Sequence, residues 1–567
     1  IMRKFFIYTF FFVIVAALVI QCVALQYRDG EIYSEKSFKK QIRDIPIRVT
    51  RATIYDRNFN PIAVTIPMDS LFINRPRNFL KNENSKLLEL SKILKINKNT
   101  ILSKVENNIN KNFIYIERKI SPTKVKKILD LNLKGIAFHK ENHRFYPEAE
   151  VTSHIIGKTN IDDIGQSGME ETFNKKLSGE NGVKKVMLNR KKEQVKEIES
   201  TLPVYPDSVH LTIDNRIQYA AYKSLKEQVI KVNADSGSII VVDSTNGEIL
   251  ALANSPSYNP NNKNGYTPEK ARNRAIKEKF DPGSTIKPFL FVAAQNTKNF
   301  FFENKIDTSP GKLKIGGGYT IEDTKNHGIL SADQVLIKSS NVGSVKISEI
   351  ISQEDYYEIL SYVGFGEDID INLSGVNNST NLKHFTKWKP IDLKTYSYGY
   401  GLNVTPLQLV KAYTVIANNG KKLPLKIIKE ERSLQTISEQ KYEQNFIQVK
   451  KILQKVVEKG TAKSARLDNF TSGGKTGTTR IYNHELKKYF INRHRSIFVG
   501  MTPMNETKLV ILVVIENPKN KKYYPFYGGI VAGPVFKKVA TESLRILNIH
   551  PDKNLLSITS KGGSNVF

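Results

Sequence analysis

A run of 21 uncharged residues near the start of the chain is the feature that most restricts what this sequence can fold into. It extends from Phe5 to Leu25 and follows Arg3 and Lys4. A helix of about 20 apolar residues spans the hydrocarbon core of a bilayer, whereas the apolar part of a cleaved signal peptide is typically about 7 to 15 residues long. The sequence therefore predicts an uncleaved, single-pass membrane anchor.

The charges around this anchor predict its orientation and limit the partners of the chain. The positive-inside rule places Arg3 and Lys4 in the cytoplasm, so everything after residue 26 would be exported, in a bacterium to the periplasm or outer surface. The formal net charge of +31 would suit nucleic acid or anionic lipid, but export argues against nucleic acid, and scattered surface lysines give the same charge. The only cysteine, Cys22, lies in the anchor, so the exported part has no intrachain disulfide.

Between the anchor and about residue 210, short strand-like and helix-like segments follow one another. Residues 48–56 alternate as a strand does, and residues 85–94 have helical spacing. Three histidines lack carboxylates at ligand spacing, so we interpret them as ordinary polar residues rather than metal ligands: His139, His143 and His154. This part of the chain has no catalytic pattern.

A second unit begins near residue 230 with two apolar runs around Asn246-Gly247, which is a strong hairpin signal. A helix is predicted over 405–420, because Thr405, Pro406 and Gln408 occur in the order of a capping box. Two buried strands and a closing amphipathic helix are predicted at the end, over 496–501, 508–516 and 533–547. We expect a mixed α/β domain in which the first and last elements share one sheet.

Three short motifs occur in order within this second unit: Ser284-Thr285-Ile286-Lys287, Ser339-Ser340-Asn341 and Lys475-Thr476-Gly477-Thr478. Each motif alone is weak evidence. The Ser-x-x-Lys spacing also begins at Ser37, Ser121, Ser309, Ser438 and Ser472, although Lys-Thr-Gly occurs once. The set is more specific, because serine acyl-transfer enzymes that lack a catalytic histidine need these parts in this order.

The first motif predicts a nucleophile beside its base. Asp281-Pro282-Gly283 interrupts the chain, so Ser284 is predicted to open a helix and to have Lys287 one turn further along. The helix dipole favours negative charge at that hydroxyl. A lysine with its usual pKa of about 10.4 is a poor base at neutral pH, but burial and a second ammonium at Lys475 would lower that pKa.

The second and third motifs predict proton transfer and substrate contacts. Ser339 can relay a proton between the two lysines, and Lys475 adds positive charge to the site. Asn341 offers both a donor and an acceptor, which suits it to hold a substrate amide.

Residues 475–478 are predicted to lie on an edge strand, where an extended peptide can add as one more strand. Gly477 would permit its close approach, and Thr476 and Thr478 could bind a terminal carboxylate. The backbone N–H groups of Ser284 and Thr478 would form the oxyanion hole, a contribution of about 3 to 4 kcal/mol per donor.

With these motifs the sequence resembles the class B penicillin-binding proteins, and among them the septal D,D-transpeptidases of bacterial division. The resemblance extends over nearly the whole chain, and residues 397–409 are especially similar to the septal enzymes. In the segment similar to the family's entry motif, Ala52 and Phe59 stand where the family has glycines. Other matching segments are 144–147, 165–170, 177–182, 273–289 and 527–536.

This resemblance implies a fold and four regions of the chain. It implies an elongated α+β pedestal, and a transpeptidase domain of the serine β-lactamase-like fold, with an antiparallel sheet flanked by helices and an all-helical subdomain. The regions would be an anchor over 1–26, the pedestal over 27–215, the transpeptidase domain over 216–550 and a polar tail over 551–567.

The resemblance also implies a reaction and its partners. Ser284 would attack the D-Ala-D-Ala terminus of peptidoglycan stem peptides, and an amine of a neighbouring stem would then take the acyl group. β-Lactams would acylate the same serine, and Tyr527 would belong to an aromatic wall beside the substrate. No metal or organic cofactor is implied. The chain would act in the inner membrane at the division septum, with other division proteins and a polytopic glycosyltransferase.

Three alternatives stay open on the sequence. An elongation-specific transpeptidase would usually differ over 397–409 and would often have Asp in place of Asn341. A β-lactamase or β-lactam sensor would agree less well with the long pedestal and the single anchor. A non-catalytic division scaffold would not require all three motifs to be intact.

Overall fold

The computed structural model describes residues 2–28, 30–77, 79, 86–191, 193–316, 319–377, 382–429, 440–483 and 485–553. Most of the predicted C-terminal tail therefore lies outside the described residues. Contacts divide the chain into two compact units. One unit comprises residues 1–52 and 175–207, and the other comprises residues 53–174 and 208–567.

The first unit contains the predicted apolar helix and a small antiparallel sheet. Helix α1 (Met2–Val23) continues through a π-helical turn (Ala24–Arg28), and α2 (Gly30–Gln41) follows. The helical segment Met2–Tyr27 is long and apolar enough to cross a membrane. The sheet has the order β1-β8-β9 and consists of β1 (Ile42–Ile47), β8 (Gly182–Leu188) and β9 (Gln194–Thr201).

The second unit begins with a sheet built around a long strand, β3 (Pro61–Asn74). Both β4 (Phe113–Ile120) and β5 (Ile136–Phe145) pair antiparallel with it, and short β2 (Ile54–Tyr55) joins it to β10 (Val209–His210). A two-stranded ladder of β6 (Lys158–Thr159) and β7 (Gly165–Ser167) follows. The helices of this part of the second unit are α3 (Leu87–Leu94), α4 (Lys98–Glu106), α5 (Pro122–Asp130), α6 (Ser153–Ile156) and α7 (Gly168–Thr172), and α8 (Asn174–Ser178) leads into the second segment of the first unit.

The helix predicted over 85–94 is confirmed as α3, but the strand predicted over 48–56 is wrong for most of its length. Only Ile54–Tyr55 is a strand. Upstream, the N–H of Val49 donates to the Asn181 side chain, and the N–H of Ala52 donates to a carbonyl in the segment that follows α7. Alternating side chains predict an extended backbone, but here the backbone N–H groups of Val49 and Ala52 bond to groups that do not belong to a paired β-strand.

A five-stranded antiparallel sheet forms the core of the C-terminal part, in the order β12-β11-β19-β18-β17. The first and last elements therefore share one sheet, as predicted. Its central strands are buried along nearly their whole length, and β17 is at one edge. The five strands are β11 (Ser236–Asp243), β12 (Ile249–Ser255), β17 (Gly473–Asn483), β18 (Lys488–Thr502) and β19 (Leu509–Glu516).

Helices cover this sheet and fill the interval between β12 and β17. Two longer helices, α9 (Asn215–Lys231) and α20 (Gly533–Ile546), pack on each other and on the sheet. The other helices are α10 (Pro268–Ala271), α11 (Arg274–Lys277), α12 (Lys287–Ala294), α13 (Ala332–Lys338), α14 (Asn341–Ser348), α15 (Gln353–Tyr362), α16 (Pro390–Tyr398), α17 (Pro406–Ala417), α18 (Glu443–Glu458) and α19 (Gly528–Val531). Two small hairpins pair β13 (Lys305–Asp307) with β16 (Ile329–Ser331) and β14 (Lys312–Gly316) with β15 (Tyr319–Glu322).

Local sequence signals correctly predicted two of these elements. Asn246-Gly247 lies in the turn between β11 and β12, where Gly247 has φ of +79°. In α17 the Thr405 hydroxyl accepts from the N–H of Gln408, and the Gln408 side chain accepts from the N–H of Thr405. This reciprocal capping box satisfies two N–H groups that the helix itself cannot bond.

Candidate active site

Ser284 lies in a tight turn rather than at the first residue of an α-helix. A 3₁₀ turn spans Gly283–Ile286, and α12 begins at Lys287. Gly283 has φ of +55°, a left-handed conformation that favours glycine. Just before the turn, the backbones of Phe280 and Val404 bond to each other in both directions. The predicted helix therefore begins at Lys287, and Ser284 lies in the 3₁₀ turn that precedes it.

Two distant elements hold this turn in place. The N–H of Gly283 donates to the carbonyl of Gly399 over 3.0 Å, and the Tyr413 hydroxyl donates to the carbonyl of Thr285 over 2.7 Å. Gly399 must be glycine, because its φ is +93° and an added Cβ would lie 2.0 Å from the carbonyl oxygen of Gly283. The backbone on either side of Ser284 is therefore fixed by contacts distant in sequence.

Lys287 is fully buried and points towards the second motif. Its Nζ donates to the carbonyl of Ser339 over 2.7 Å and to Oδ1 of Asn341 over 2.8 Å, and Ser339 Oγ is 3.5 Å away. The Ser284 side chain is partly exposed and makes no hydrogen bond to any described residue. The motif pair thus lies in one place, with Lys287 anchored to residues 339–341 and the Ser284 hydroxyl open to a ligand.

Ser339 occupies the junction between α13 and α14 in a strained backbone conformation. Its φ of +61° and ψ of +38° are left-handed, which is uncommon for a residue other than glycine. The next residue, Ser340, caps α14, since its hydroxyl oxygen accepts from the N–H of Gly343. The sharp reversal at Ser339 aims both its carbonyl and its hydroxyl at the lysines.

Asp323 is a site residue that the sequence analysis missed. Its carboxylate accepts hydrogen bonds from the Ser340 hydroxyl and from the N–H groups of Asn341 and Val342, at the N-terminus of α14. The Asn341 side chain also donates to the carbonyl of Glu322 over 3.0 Å. Asp323 is 17 residues before Ser340, so no local spacing signals the contact.

Lys475 completes the cluster from the edge strand β17. It is fully buried, and its Nζ donates to Ser339 Oγ over 2.8 Å and to the carbonyl of Thr476 over 3.2 Å. Burial lowers the pKa of Lys287 to about 7, against the opposing effect of the Asp323 carboxylate. Burial, and then the charge of Lys287, lower the pKa of Lys475 well below its usual value. A neutral amine is therefore accessible near physiological pH.

The Lys-Thr-Gly strand packs directly on the Ser284 turn. A Cβ added to Gly477 would lie 3.0 Å from both the carbonyl oxygen of Pro282 and a methyl group of Thr285. Gly477 therefore permits close packing of the strand on the turn, a role beyond the substrate approach predicted from the sequence. Thr478 N lies 3.8 Å from the position that a Cβ on Gly283 would take, so the two backbone segments are adjacent.

The hydroxyls of the two strand threonines contact other parts of the protein. Thr476 is buried, and its Oγ1 lies 2.9 Å from Oγ1 of Thr461. Oγ1 of Thr478 accepts from the N–H of Gly528 over 3.1 Å, and Thr478 is partly exposed. Tyr527, the residue just before Gly528, is 41% exposed.

The arrangement is suited to acyl transfer from an activated serine. Ser284 is partly exposed and lies three residues before Lys287, whose buried amine has a pKa near neutral, and the Ser339 hydroxyl links that amine to the buried amine of Lys475. Such a chain can accept and return one proton during attack and departure at a carbonyl. In the described ranges, no group of three or more His, Cys, Asp or Glu side chains is arranged to hold a metal ion.

Comparison with known proteins identifies the family of the chain. Residues 237–541 match the penicillin-binding protein transpeptidase domain, and residues 46–211 match the penicillin-binding protein dimerisation domain. The chain belongs to the penicillin-binding protein transpeptidase family, in the group called class B.

Two curated relatives align over most of their length. A probable peptidoglycan D,D-transpeptidase, PbpC of Pseudomonas aeruginosa, is 37% identical, with 94% of this chain and 92% of the relative covered. Peptidoglycan D,D-transpeptidase FtsI of Escherichia coli is 32% identical, over 93% of this chain and 89% of the relative.

The fold is also found among solved structures. The crystal structure of a peptidoglycan synthetase from Bifidobacterium adolescentis has a TM-score of 0.70, with 90% of this chain and 98% of that chain covered. At 23% identity this likeness supports the fold alone.

Proposed function

We propose that this protein is a peptidoglycan D,D-transpeptidase that cross-links stem peptides through a serine acyl-enzyme. The observation that carries the proposal is the pair of fully buried lysines, Lys287 and Lys475, joined through Ser339, with the partly exposed Ser284 in the turn that leads into Lys287. The family match and the D,D-transpeptidase names of the relatives support the same reaction.

In this mechanism Ser284 Oγ attacks the penultimate D-Ala carbonyl while its proton passes to the neutral amine of Lys287. The tetrahedral oxyanion accepts from the N–H groups of Ser284 and Thr478. Ser339 and Lys475 then deliver a proton to the departing D-Ala amine. In the second half, an amine of a neighbouring stem attacks the ester and loses a proton to the Lys475–Ser339–Lys287 chain, which returns a proton to Ser284 Oγ as the ester C–O bond breaks.

The substrate is held along the open edge of β17, where an extended peptide can pair with the strand. We assign Asn341, Thr476, Gly477, Thr478 and Tyr527 to substrate contact. Their present hydrogen bonds constrain how they do so: the Asn341 amide is already bonded on both sides, and Thr476 Oγ1 lies against Thr461. Both amide atoms of Asn341 and the Thr476 hydroxyl keep further hydrogen-bonding capacity, which is what substrate contact would use.

For the whole chain we propose an anchor over 1–26, a pedestal over 27–215, a transpeptidase domain over 216–550 and a tail over 551–567. The anchor is a single pass through the inner membrane with the catalytic domain in the periplasm. The place of action is the division septum, beside a polytopic glycosyltransferase and other division proteins. The long apolar helix supports the anchor, the two matched domains support the division into pedestal and transpeptidase domain, and the FtsI relative supports the septal role.

Covalent labelling with fluorescent penicillin tests the proposed chemistry. Ser284→Ala in the full chain is expected to abolish the label, because it removes the proposed nucleophile, whereas the Ser339 hydroxyl is already hydrogen-bonded to Lys475. Ser121→Ala is the matched control, since Ser121 also begins a Ser-x-x-Lys spacing at a helix start and is partly exposed, but its hydroxyl is bonded to Thr123. Label that persists on Ser284→Ala would remove Ser284 as the nucleophile.

Three further measurements separate the remaining alternatives. Depletion in cells should give filaments, whereas rounded cells would indicate an elongation enzyme. The labelled protein should hold its penicilloyl group for many minutes, whereas fast turnover of the β-lactam would indicate a β-lactamase. A Ser284→Ala chain that restored division would indicate a non-catalytic scaffold.

A further inference from the structure

A cavity of about 790 Å³ lies in the second unit, between the segment 117–166 and the loop 258–266. None of the residues assigned to catalysis or substrate contact lines it. Its volume is within the range of about 300 to 1,000 Å³ that is usual for ligand sites. The cavity therefore has the size of a binding site and is distinct from the serine site.

Two tyrosines and one lysine form one wall of this cavity. The rings of Tyr258 and Tyr266 meet edge to face with centroids 5.3 Å apart, and Tyr266 is 39% exposed. The Nζ of Lys158 lies 3.4 Å from the centroid of the Tyr266 ring. No carboxylate is within ion-pair distance of Lys158 among the residues whose positions are known. Lys158 is thus a cation held in place by an aromatic ring and available to an anionic group.

Three asparagines in the lining have oriented side chains. The Oδ1 atoms of Asn160, Asn259 and Asn262 each accept from a backbone N–H two residues further on. Each side-chain oxygen is therefore hydrogen-bonded within its own loop, which fixes the plane of the amide group. The two N–H groups of each amide remain as donors. These donors suit neutral acceptors such as sugar hydroxyl and acetamido oxygens.

The other charges in the lining are already paired. Arg118 forms a bidentate pair with Glu141, and Lys119 pairs with Asp163 over 3.0 Å. The cavity thus offers one unpaired cation, several fixed amide donors and aromatic surface. A ligand that complements all three has neutral oxygens, apolar ring faces and a carboxylate.

We propose that this cavity is a second binding site for a carboxylate-bearing amino-sugar peptide, that is, an uncross-linked fragment of a peptidoglycan strand. The choice of that polymer rests on the proposed function. The sugar ring lies against Tyr266, its acetamido oxygens accept from the asparagine amides, and a carboxylate pairs with Lys158. The site holds a strand independently of the state of Ser284.

The test uses the full chain in detergent after penicillin has acylated Ser284, so that the serine site is closed. The probe is a disaccharide-tripeptide, which has no D-Ala-D-Ala terminus and is not a substrate. We expect saturable binding by calorimetry, and protection of Lys158 from acetylation as measured by mass spectrometry. Lys158→Gln and Tyr266→Ala should each weaken binding about tenfold or more.

Lys231→Gln is the matched control, because Lys231 also lies over a tyrosine ring, Tyr523, at 5.8 Å, but away from the cavity. It should bind as the parent does. Penicillin labelling of every variant shows whether that variant is folded. Protection of Lys158 from acetylation is measured on the parent chain, so it does not depend on a variant that folds. Absence of saturable binding, or equal binding by all three variants, would overturn the proposal while leaving the proposed function intact. Failure of penicillin to acylate would instead contradict the proposed function, and probe binding to the unacylated chain would still be measurable.

Discussion

Among the described residues no carboxylate contacts Lys287 or Lys475 directly, and Ser339 lies between their two amines. Burying two positive charges close together raises the free energy of the doubly protonated state, so each lysine loses its proton more easily than it would in water. The negative charge of the Asp323 carboxylate opposes this effect, because it favours the protonated form of Lys287 and so raises its pKa. The pKa of Lys287 is therefore set by burial first and by Asp323 second, and the pKa of Lys475 by burial first and by the charge of Lys287 second.

This charge balance predicts the pH dependence of acylation. Lys287 must be neutral to accept the Ser284 proton, and its pKa is about 7. The second-order rate constant for acylation by a β-lactam should therefore rise about tenfold per pH unit below that value and level off above it. Asp323→Asn removes the charge that raises this pKa, so its inflection should lie at a lower pH. Stopped-flow acylation from pH 5 to 9 measures both, and an inflection that moved upward in Asp323→Asn would contradict this account.

Ser339 combines a catalytic hydroxyl with a backbone that favours glycine. Ser339→Ala and Ser339→Gly both remove the hydroxyl between the lysines, and each should slow acylation about 10² to 10⁴-fold. The glycine variant should be more stable than the alanine variant by about 1 kcal/mol, because φ is left-handed there. Urea unfolding followed by the single tryptophan, Trp388, measures the difference. Equal stability of the two variants would mean that the left-handed conformation is not retained.

At the scale of elements, the site depends on the contact between the edge strand β17 and the Ser284 turn. Gly477 and Gly283 are both required there, since a Cβ on Gly283 would lie 2.5 Å from the Thr479 side chain. The strand thus brings Lys475 and the backbone of Thr478 to the nucleophile through close backbone packing.

Gly477→Ala should separate the strand from the turn. The added methyl group would lie 3.0 Å from the carbonyl oxygen of Pro282, closer than ordinary contact allows. Because a displacement of about 1 Å can cost about 10²-fold in rate, we expect penicillin acylation to fall about tenfold or more. Gly265→Ala is the control, since nothing lies within 4 Å of its added Cβ and the position tolerates a side chain. Acylation rates that are equal in the two variants would contradict the proposed packing role.

At the scale of the whole molecule, one helix at the N-terminus is long and apolar enough to cross a membrane, and the proposed topology places residues 2–4 and the catalytic unit on opposite sides of it. The helix exposes its apolar side chains over its whole length, and none of its residues is buried in the protein. A bilayer is the environment that suits such a surface.

Cysteine accessibility tests this topology. In a Cys22→Ser background the chain has no other thiol. Lys521→Cys, at an exposed position of the second unit, should react with a membrane-impermeant maleimide in intact spheroplasts. Lys4→Cys should react only after the membrane is opened. The reverse pattern would show that the orientation is inverted.

Sequence alone was sufficient where the structure depends on neighbouring residues or on composition. The apolar run, the hairpin at Asn246-Gly247 and the capping box at Thr405 are local signals, and the structure confirms each. The three motifs were also found in sequence, because their order and residue types are those of one acyl-transfer mechanism. Local alternation failed over 48–56, where the partners of the backbone are distant residues.

Tertiary structure decided everything that depends on distant contacts. It placed Lys287 and Lys475 on either side of Ser339, gave Ser339 its left-handed backbone and brought Asp323 to the start of α14. It also formed the cavity beside Tyr266 from two segments about a hundred residues apart. A sequence determines which chemical groups are present and which short segments form, whereas burial, and with it the pKa of a buried amine, exists only once the chain has packed.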